Sequence, residues 1–285
     1  MESGNRDGVK KQRWSQETEM ESRNGDRMKR IKLIVAYDGT RYSGWQIQNN
    51  GQTIEGVLNR TLSELTGENI TVIGASRTDA GVHALGNVAV FDTESRIPGE
   101  KFAFALNVRL PEDIRVQDSR EVSPDFHPRK CVSTKTYEYR ILNRKFELPC
   151  ERYDSYFYHR PLDVEAMREA ASYLVGEHDF KSFCSIHTQA LTTVRIIYSI
   201  DVDKSGDMVT ICVKGNGFLY NMVRIIAGTL IQAGIGTFPP EHVREILLSL
   251  DRQAASQTAP ARGLKLVKIQ YEEGSAILDK NEHFH

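Results

Sequence analysis

The chain has little of what marks secreted, membrane or zinc-binding proteins. Its 285 residues contain four cysteines, with no Cys-x-x-Cys pair and no zinc-ligand spacing. We therefore expect reduced thiols and a cytoplasmic location. No apolar run approaches the roughly 18 residues that a membrane helix needs, and the charged N-terminus has no apolar signal segment. The sequence predicts a protein without membrane contact.

Motifs that hold metals, nucleotides or redox cofactors are missing too. None of the eight histidines has a partner at the i, i+4 spacing of a helical metal site. Gly215-Asn216-Gly217 begins like a dinucleotide-binding loop but lacks the third glycine. We expect no metal and no organic cofactor. The net charge of −1 neither indicates nor excludes a nucleic-acid partner, because only local charge meets a phosphate.

The composition that is present, 40% hydrophobic and 26% charged, is that of an ordinary globular protein. Residues 1–30 have almost no apolar side chains, so we expect a disordered or non-native extension, with Met28 as a candidate start. We predict an N-terminal lobe over 31–145, which carries the candidate site, and a C-terminal lobe over 146–271. Residues 272–285 are predicted to form a loose tail.

Hydrophobic periodicity predicts an α+β fold. Strands often follow one another without a helical crossover, which favours a mixed, mainly antiparallel sheet flanked by helices. The predicted strands are 31–37, 70–75, 88–91, one ending near 122, 135–142, 194–202, 208–213 and 264–271. The predicted helices are 53–66, about 100–108, 163–175, 218–233 and 240–250.

One segment with the composition of a reactive loop, 74–84, lies between two predicted strands. It is nearly devoid of large side chains apart from Arg77, Asp79 and His83. Small residues let a ligand approach the backbone, and an arginine can hold a nearby aspartate ionised, as a nucleophile or base must be. The structural alternative is a tight turn in which Asp79 caps backbone amides. Turn preferences alone favour that alternative.

Two further segments carry unusual combinations of residues. Basic and aromatic residues interleave over 126–130 and 135–140, a pattern typical of surfaces that hold phosphates and stack bases. The alternative is a strand whose tyrosines, Tyr137 among them, face the core. Arg224 lies in an otherwise apolar predicted helix and needs a carboxylate partner. That partner is either a structural ion-pair residue or Asp79.

In combination, these segments closely resemble the tRNA pseudouridine synthase A family from about Lys32 to Tyr271. Eight stretches in the family's order are far more specific than any one alone. They are YDGTRYSGWQ (37–46), RTDAGVHA (77–84), NVRLPEDI (107–114), FHPRK (126–130), KTYEYRI (135–141), GEHDFKSF (176–183), GNGFLYNMVR (215–224) and APARGLKL (259–266). Ser76 departs from the glycine that is frequent at its position in the family.

The resemblance implies two ferredoxin-like lobes that share one sheet, with a basic cleft between them. It implies homodimers that bind tRNA and act on uridines 38, 39 and 40 of the anticodon arm. Asp79 matches the family's catalytic aspartate, Arg77 the arginine beside it, and Arg224 the arginine that pairs with it. Tyr137 matches the tyrosine that stacks on the target uracil. The predicted substrate-binding residues are Tyr137, Arg129, Lys135 and His83.

The implied reaction converts uridine to pseudouridine. The N1–C1′ bond breaks, the uracil rotates, and C5 joins C1′, so nothing is required from a redox cofactor or a metal. A carboxylate either attacks C1′ or removes the 2′ proton, and the sequence leaves both routes open. Arg224 and Arg77 are expected to lower the pKa of Asp79 and keep it charged. The Tyr137 hydroxyl is a candidate to take the C5 proton.

Two other classes of function are alternatives to this one. A non-catalytic RNA-binding module on the same scaffold would be favoured if the aspartate, arginine or tyrosine were replaced, and all are present. A hydrolase of nucleoside glycosidic bonds would ordinarily use a second carboxylate close to the first. Asp38 is the nearby candidate from another loop.

Overall fold

The computed structural model describes residues 28–186 and 190–272, with ten β-strands and five α-helices in those ranges. The predicted extension up to residue 27 and the predicted tail from residue 273 lie outside the described residues. Cys131, Cys150 and Cys212 are free thiols, as predicted. No helix of the described chain is both long and apolar enough to cross a membrane.

The first half of the described chain folds as a β-α-β-β-α-β unit. It comprises β1 (Lys29–Tyr37), α1 (Ile54–Thr66), β2 (Ile73–Gly74), β3 (His83–Thr93), α2 (Phe102–Asn107) and β4 (Ile114–Val122). Its strands pair antiparallel in the order β4-β1-β3-β2. This element order is that of the ferredoxin-like fold.

The second half repeats this arrangement with two added strands. It comprises β5 (Ser133–Asn143), β6 (Tyr156–Tyr158), α3 (Val164–Ser172), β7 (Gly176–Asp179), β8 (Val194–Ser205), β9 (Met208–Gly215), α4 (Met222–Gly234), α5 (His242–Ser249) and β10 (Leu264–Tyr271). The order β10-β5-β9-β8 corresponds to β4-β1-β3-β2 of the first half. The added strands are β7, at the edge beside β8, and β6, parallel to β5.

Strand β10 joins the two units into one sheet. It pairs antiparallel with β5 and parallel with β3, where Lys265 lies opposite His83 and Leu266 opposite Ala84. The predicted α+β fold, with two ferredoxin-like lobes sharing a mixed, mainly antiparallel sheet, is confirmed. Strand β5 is the first strand of the second unit, and the lobe boundary after residue 145 stays a prediction.

Helix limits follow from local side-chain chemistry. Thr53 precedes α1 in an extended conformation, and its hydroxyl accepts a hydrogen bond from the Gly56 amide at 3.3 Å. Gly67 ends α1 with a left-handed φ of 75°, a conformation that glycine adopts without strain. Leu58 and Leu62, on the apolar face of α1, are completely buried in the core.

The strand predicted over 70–75 is wrong in length, because only two of its residues, at 73 and 74, are in a strand. The backbone amides of Ile70 and Val72 donate to Ser63 Oγ and Asn59 Oδ1 on α1 instead of to a neighbouring strand. Polar side chains of a helix therefore take the place of strand pairing.

The helix predicted over 218–233 begins at Met222, four residues later. Asn221 immediately before it has a left-handed φ of 62°, which the helical backbone cannot include. Residues 218–221 consequently form an irregular segment that borders the cleft described next.

Candidate active site

A cleft of about 970 Å³ is bordered by both halves of the molecule. The first half supplies the segment that precedes β3, and the second half supplies the start of β5 and the segment before α4. The charged, aromatic and amide side chains at the cleft include Asp79, Arg77, Arg129, Lys135, Tyr137, Arg195, Phe218 and Asn221.

Buried hydrogen bonds support the segment that carries Asp79. Asn87, completely buried on β3, accepts from the Ser76 amide at 3.3 Å and donates to the Ser76 carbonyl at 3.0 Å. It also donates to the Tyr37 hydroxyl at 3.3 Å, and that hydroxyl lies 2.7 Å from Thr78 Oγ1. The backbone before Asp79 is therefore fixed by packed polar groups.

Glycines of the 37–46 segment allow it to pack directly on the Asp79 segment. Gly44 has a φ of 87°, and a Cβ there would lie 2.6 Å from the Thr78 carbonyl oxygen. The Trp45 amide donates to that same oxygen at 3.0 Å. A Cβ at Gly39 would overlap the Val82 carbonyl. A residue without Cβ is needed at both positions, so the two motifs form one structural unit.

Asp79, which borders the cleft, forms an ion pair with Arg224 of α4. Arg224 Nη1 donates to Asp79 Oδ2 at 3.3 Å, and the two side chains are 17% and 19% exposed respectively. The partnership that the sequence left open is therefore present. Within the described residues, Arg224 is the one side chain that donates to this carboxylate, so most of its acceptor capacity is unused.

Burial raises the pKa of Asp79, while the charge and hydrogen bond of Arg224 lower it, and the net direction is upward. The expectation that the two arginines hold this pKa below its ordinary value is wrong. One long contact does not offset the loss of water around a mostly buried carboxylate. A carboxylate with a raised pKa in a cleft is typical of a functional site.

Arg224 is oriented by groups other than Asp79. Its Nε donates to the Ala259 carbonyl at 2.8 Å, and the Ala259 amide donates to the Arg224 carbonyl at 3.1 Å. Its Nη1 also donates to Asn221 Oδ1 at 2.8 Å. These contacts are shorter than the one to Asp79, so they determine where the guanidinium points.

Tyr137 borders the same cleft and is 8% exposed. Its ring meets Phe218 edge-on, with the centroids 5.1 Å apart. Burial raises the pKa of Tyr137 to about 12; a hydrogen bond with Ser76 lowers this pKa, and the charge of Asp79 raises it. The hydroxyl therefore carries its proton at neutral pH. Tyr139, on the same strand face, is completely buried in the core.

Four cationic side chains border the cleft, namely Arg77, Arg129, Lys135 and Arg195. Lys135 Nζ donates to the Ala75 carbonyl at 3.1 Å, and burial, followed by the charges of Arg129 and Arg195, lowers its pKa to about 8. Burial also lowers the pKa of Arg129 and of Arg195. Cations held close together are stabilised when a phosphate binds among them.

Two predicted site residues, Arg77 and His83, make no hydrogen bond or ion pair with Asp79 in the described part of the chain. Arg77 borders the cleft but is exposed, and its charge acts on Arg129. His83 is buried beside Asp38, where its Nδ1 accepts from the Gly39 amide at 3.1 Å. It borders a second cavity of about 410 Å³ and not the Asp79 cleft, because it already belongs to β3.

Several cleft residues were not assigned from the sequence. Arg195 lies on β8, far from every motif with a clear chemical signal, and its place became evident only from strand pairing. Phe218 and Asn221 lie in the motif GNGFLYNMVR, but the sequence predicted that both belong to an apolar helix. In the described ranges, no cluster of three or more histidine, cysteine, aspartate or glutamate side chains is arranged to hold a metal.

Comparison with known proteins identifies the family of the chain. The family model described as tRNA pseudouridine synthase matches residues 33–129 and 170–272. Proteins named tRNA pseudouridine synthase A from Brevibacillus brevis, Acetivibrio thermocellus and Thermoanaerobacter sp. are 48%, 47% and 46% identical to the chain. Each match covers 86% of this chain and 100% of the relative. The chain belongs to the tRNA pseudouridine synthase family.

Proposed function

We propose that the protein is an isomerase that converts uridine to pseudouridine in tRNA. The observation that carries this proposal is a mostly buried, sparsely coordinated Asp79 in a cleft beside Tyr137, in a chain of the tRNA pseudouridine synthase family. A cleft with these two groups offers a carboxylate for the ribose and a ring for the base.

Asp79 acts on the ribose of the bound uridine. Its ionised form either attacks C1′, displacing N1 of the uracil, or removes the 2′ proton to give a glycal-like intermediate. Both steps need the unused oxygen of the carboxylate to face the sugar, while Arg224 holds the other oxygen. Because burial raises the pKa of Asp79, activity should decline as the pH falls through that raised pKa.

Tyr137 holds the uracil after the uridine leaves its stack. Extruding the nucleotide costs a few kcal/mol, and stacking on an aromatic ring returns about 1–3 kcal/mol. In the last step C5 loses a proton, and N1 ends with one. With a pKa near 12 the Tyr137 hydroxyl is not a phenolate at neutral pH, so it accepts the C5 proton only while it passes its own to a neighbouring acceptor.

The cations at the cleft bind the RNA backbone. Arg129, Lys135 and Arg195 are suited to phosphates, and Arg77 adds an exposed charge next to Arg129. Contacts of this kind recognise the shape and the backbone of the RNA more than its sequence. A basic cleft is therefore part of the proposal.

The finer features of the proposal are the target, the assembly and the compartment. The family resemblance supports uridines 38, 39 and 40 of the anticodon arm, a homodimer, and action in the cytoplasm. Ile186 and Leu191 are 81% and 99% exposed next to the cleft-lining part of the chain, which supports a partner surface there. Light scattering on the purified protein, with and without tRNA, measures the assembly state.

Chemical mapping of pseudouridine tests the function directly. A strain that lacks the gene is expected to lose pseudouridine at one or more of positions 38–40, and the parent gene is expected to restore it. Asp79→Asn should fail to restore it while still binding tRNA. A deletion strain that keeps all of its pseudouridine at positions 38–40 would contradict the proposal.

A second assay separates the competing classes. A hydrolase would release free uracil from tRNA, whereas an isomerase releases none. Asp38, the second carboxylate that a hydrolase would need, faces His83 at 3.1 Å and borders the other cavity, which disfavours that class. A non-catalytic RNA-binding module would bind tRNA and form no pseudouridine in vitro.

A further inference from the structure

Asn221 has an unusual conformation immediately before α4. Its φ of 62° is left-handed, a conformation that a non-glycine residue seldom adopts. Asparagine is enriched before helices because its side chain accepts from the first free amides. Asn221 makes no such bond. By contrast, Thr53 and Asp163, which directly precede α1 and α3, are extended and cap these helices through their side chains.

The Asn221 side chain is used for another purpose. Its Oδ1 accepts from Arg224 Nη1 at 2.8 Å, and its Nδ2 donates to Ser185 Oγ at 2.8 Å. The chain around Ser185 is in turn tied to this segment, because the Ser185 amide donates to the Tyr220 carbonyl at 3.1 Å. Asn221 therefore connects the Arg224 guanidinium to a neighbouring loop through two short hydrogen bonds.

We infer that Asn221 is a positioning residue, which holds the Arg224 guanidinium against Asp79 and forgoes its capping bond to do so. The left-handed backbone turns the amide away from the helix amides and toward Arg224. Arg224 Nη1 thus has one short contact, to Asn221, and one longer contact of 3.3 Å, to Asp79. The inference rests on the proposed role of Asp79.

Asn221→Gly separates positioning from folding. Glycine adopts the left-handed φ without strain, and this relief offsets part of the cost of the two lost hydrogen bonds, so the melting temperature is expected to change little. Loss of the acceptor frees the guanidinium, and kcat should fall about tenfold or more while KM for tRNA changes less than about twofold. The acid limb of the kcat profile should move to higher pH, because a loosened Arg224 no longer opposes the effect of burial on Asp79.

Leu250→Gly is the matched control. Leu250 also has a left-handed φ, 52°, at the end of α5, and it does not border the cleft. The same relief of backbone strain is expected there with an unchanged kcat. Ser185→Ala, which removes the second anchor of Asn221, should lower kcat in the same direction by a smaller factor. Asn221→Asp keeps an acceptor oxygen for Arg224 and should recover part of the kcat lost in Asn221→Gly.

A parent-like kcat and an unchanged acid limb in Asn221→Gly would overturn the inference. So would a fall in kcat that is matched by a lower melting temperature without a shifted limb, since that result indicates a purely structural role. Asp79→Asn, measured in parallel, distinguishes a failure of the proposed function from a failure of the proposed role of Asn221. Activity in Asp79→Asn contradicts the proposed function, whereas an inactive Asp79→Asn with a parent-like Asn221→Gly contradicts only the role of Asn221.

Discussion

Two mostly buried aspartates of the first lobe, Asp113 and Asp79, pair with arginines in opposite ways. Asp113 is 9% exposed, and its Oδ2 accepts from Arg41 Nε and Nη2 at 2.9 and 2.6 Å. Its Oδ1 accepts from the Tyr42 hydroxyl at 2.6 Å. Asp79 is 19% exposed and accepts one side-chain hydrogen bond, at 3.3 Å, within the described residues.

The difference distinguishes a structural carboxylate from the one proposed to react with the ribose. Both oxygens of Asp113 are engaged by short hydrogen bonds, so this carboxylate fixes the 37–46 segment and has little capacity for a ligand. Asp79 is left short of partners in a cleft, an arrangement that costs stability and persists where function needs it. The number of hydrogen bonds that each carboxylate accepts therefore distinguishes the two aspartates better than burial does.

Exchanging each aspartate for asparagine tests this contrast most strongly. Asp79→Asn should lower kcat by about 10³-fold or more, because the amide can neither attack C1′ nor remove a proton. Asp113→Asn should lower the melting temperature by several degrees and leave kcat within about threefold. Pseudouridine formation on tRNA and thermal melting measure the two outcomes. A larger catalytic loss in Asp113→Asn than in Asp79→Asn would break the comparison.

The two tyrosine hydroxyls next to these aspartates extend the test. Tyr137→Phe retains the ring that stacks on uracil and should lower kcat by about 10²-fold, with little change in the affinity for tRNA. Tyr42→Phe removes the donor to Asp113 and should cost about 1 kcal/mol of unfolding free energy with an unchanged kcat. Single-turnover kinetics gives the first value and urea denaturation the second. A parent rate for Tyr137→Phe would remove its hydroxyl from the chemistry.

The partner arginines are expected to have intermediate effects. Arg224→Gln removes the charge that opposes burial, so the pKa of Asp79 should rise further and the acid limb of kcat should move to higher pH. At neutral pH we expect kcat to fall about tenfold. Arg41→Gln serves as the control and should leave the pH profile unchanged. An unshifted acid limb in Arg224→Gln would show that the guanidinium does not influence Asp79.

The smallest expected effect concerns binding without chemistry. Arg195→Gln removes one cation from the cleft and should weaken tRNA binding at every ionic strength tested. The slope of log affinity against log salt should fall by about one, while kcat at saturating tRNA stays at the parent value. Filter binding from low to high salt gives the slope. An unchanged slope would exclude a phosphate contact for Arg195.

The fold was largely predictable from the sequence because periodicity reports burial directly. The strands at 31–37 and 264–271 and the helix at 53–66 appear within a few residues of their predicted limits. The predictions failed where side chains replaced backbone pairing. Ser63 and Asn59 take the amides that a strand at 70–75 would have used. Such bonds join residues that periodicity treats as surface positions.

The site was predictable only in part, for a different physical reason. The local pattern pointed to Asp79 as a candidate, but turn preferences alone favoured a structural turn there. Its partner Arg224 lies 145 positions away, so no local pattern could connect the two. The sign of the Asp79 pKa shift depends on burial inside the cleft, which no local pattern reports. His83 was grouped with Asp79 by proximity along the chain, yet it borders the other cavity.

The position of β10 has a consequence for how the protein is made. This strand is the last of the described chain, and it lies between β3 and β5, which were synthesised long before it. Until β10 leaves the ribosome, the two lobes have no shared strand, and the ion pair between Asp79 of the first lobe and Arg224 of the second is not supported by a common sheet. A nascent chain would therefore be unable to modify RNA until β10 had been synthesised and paired.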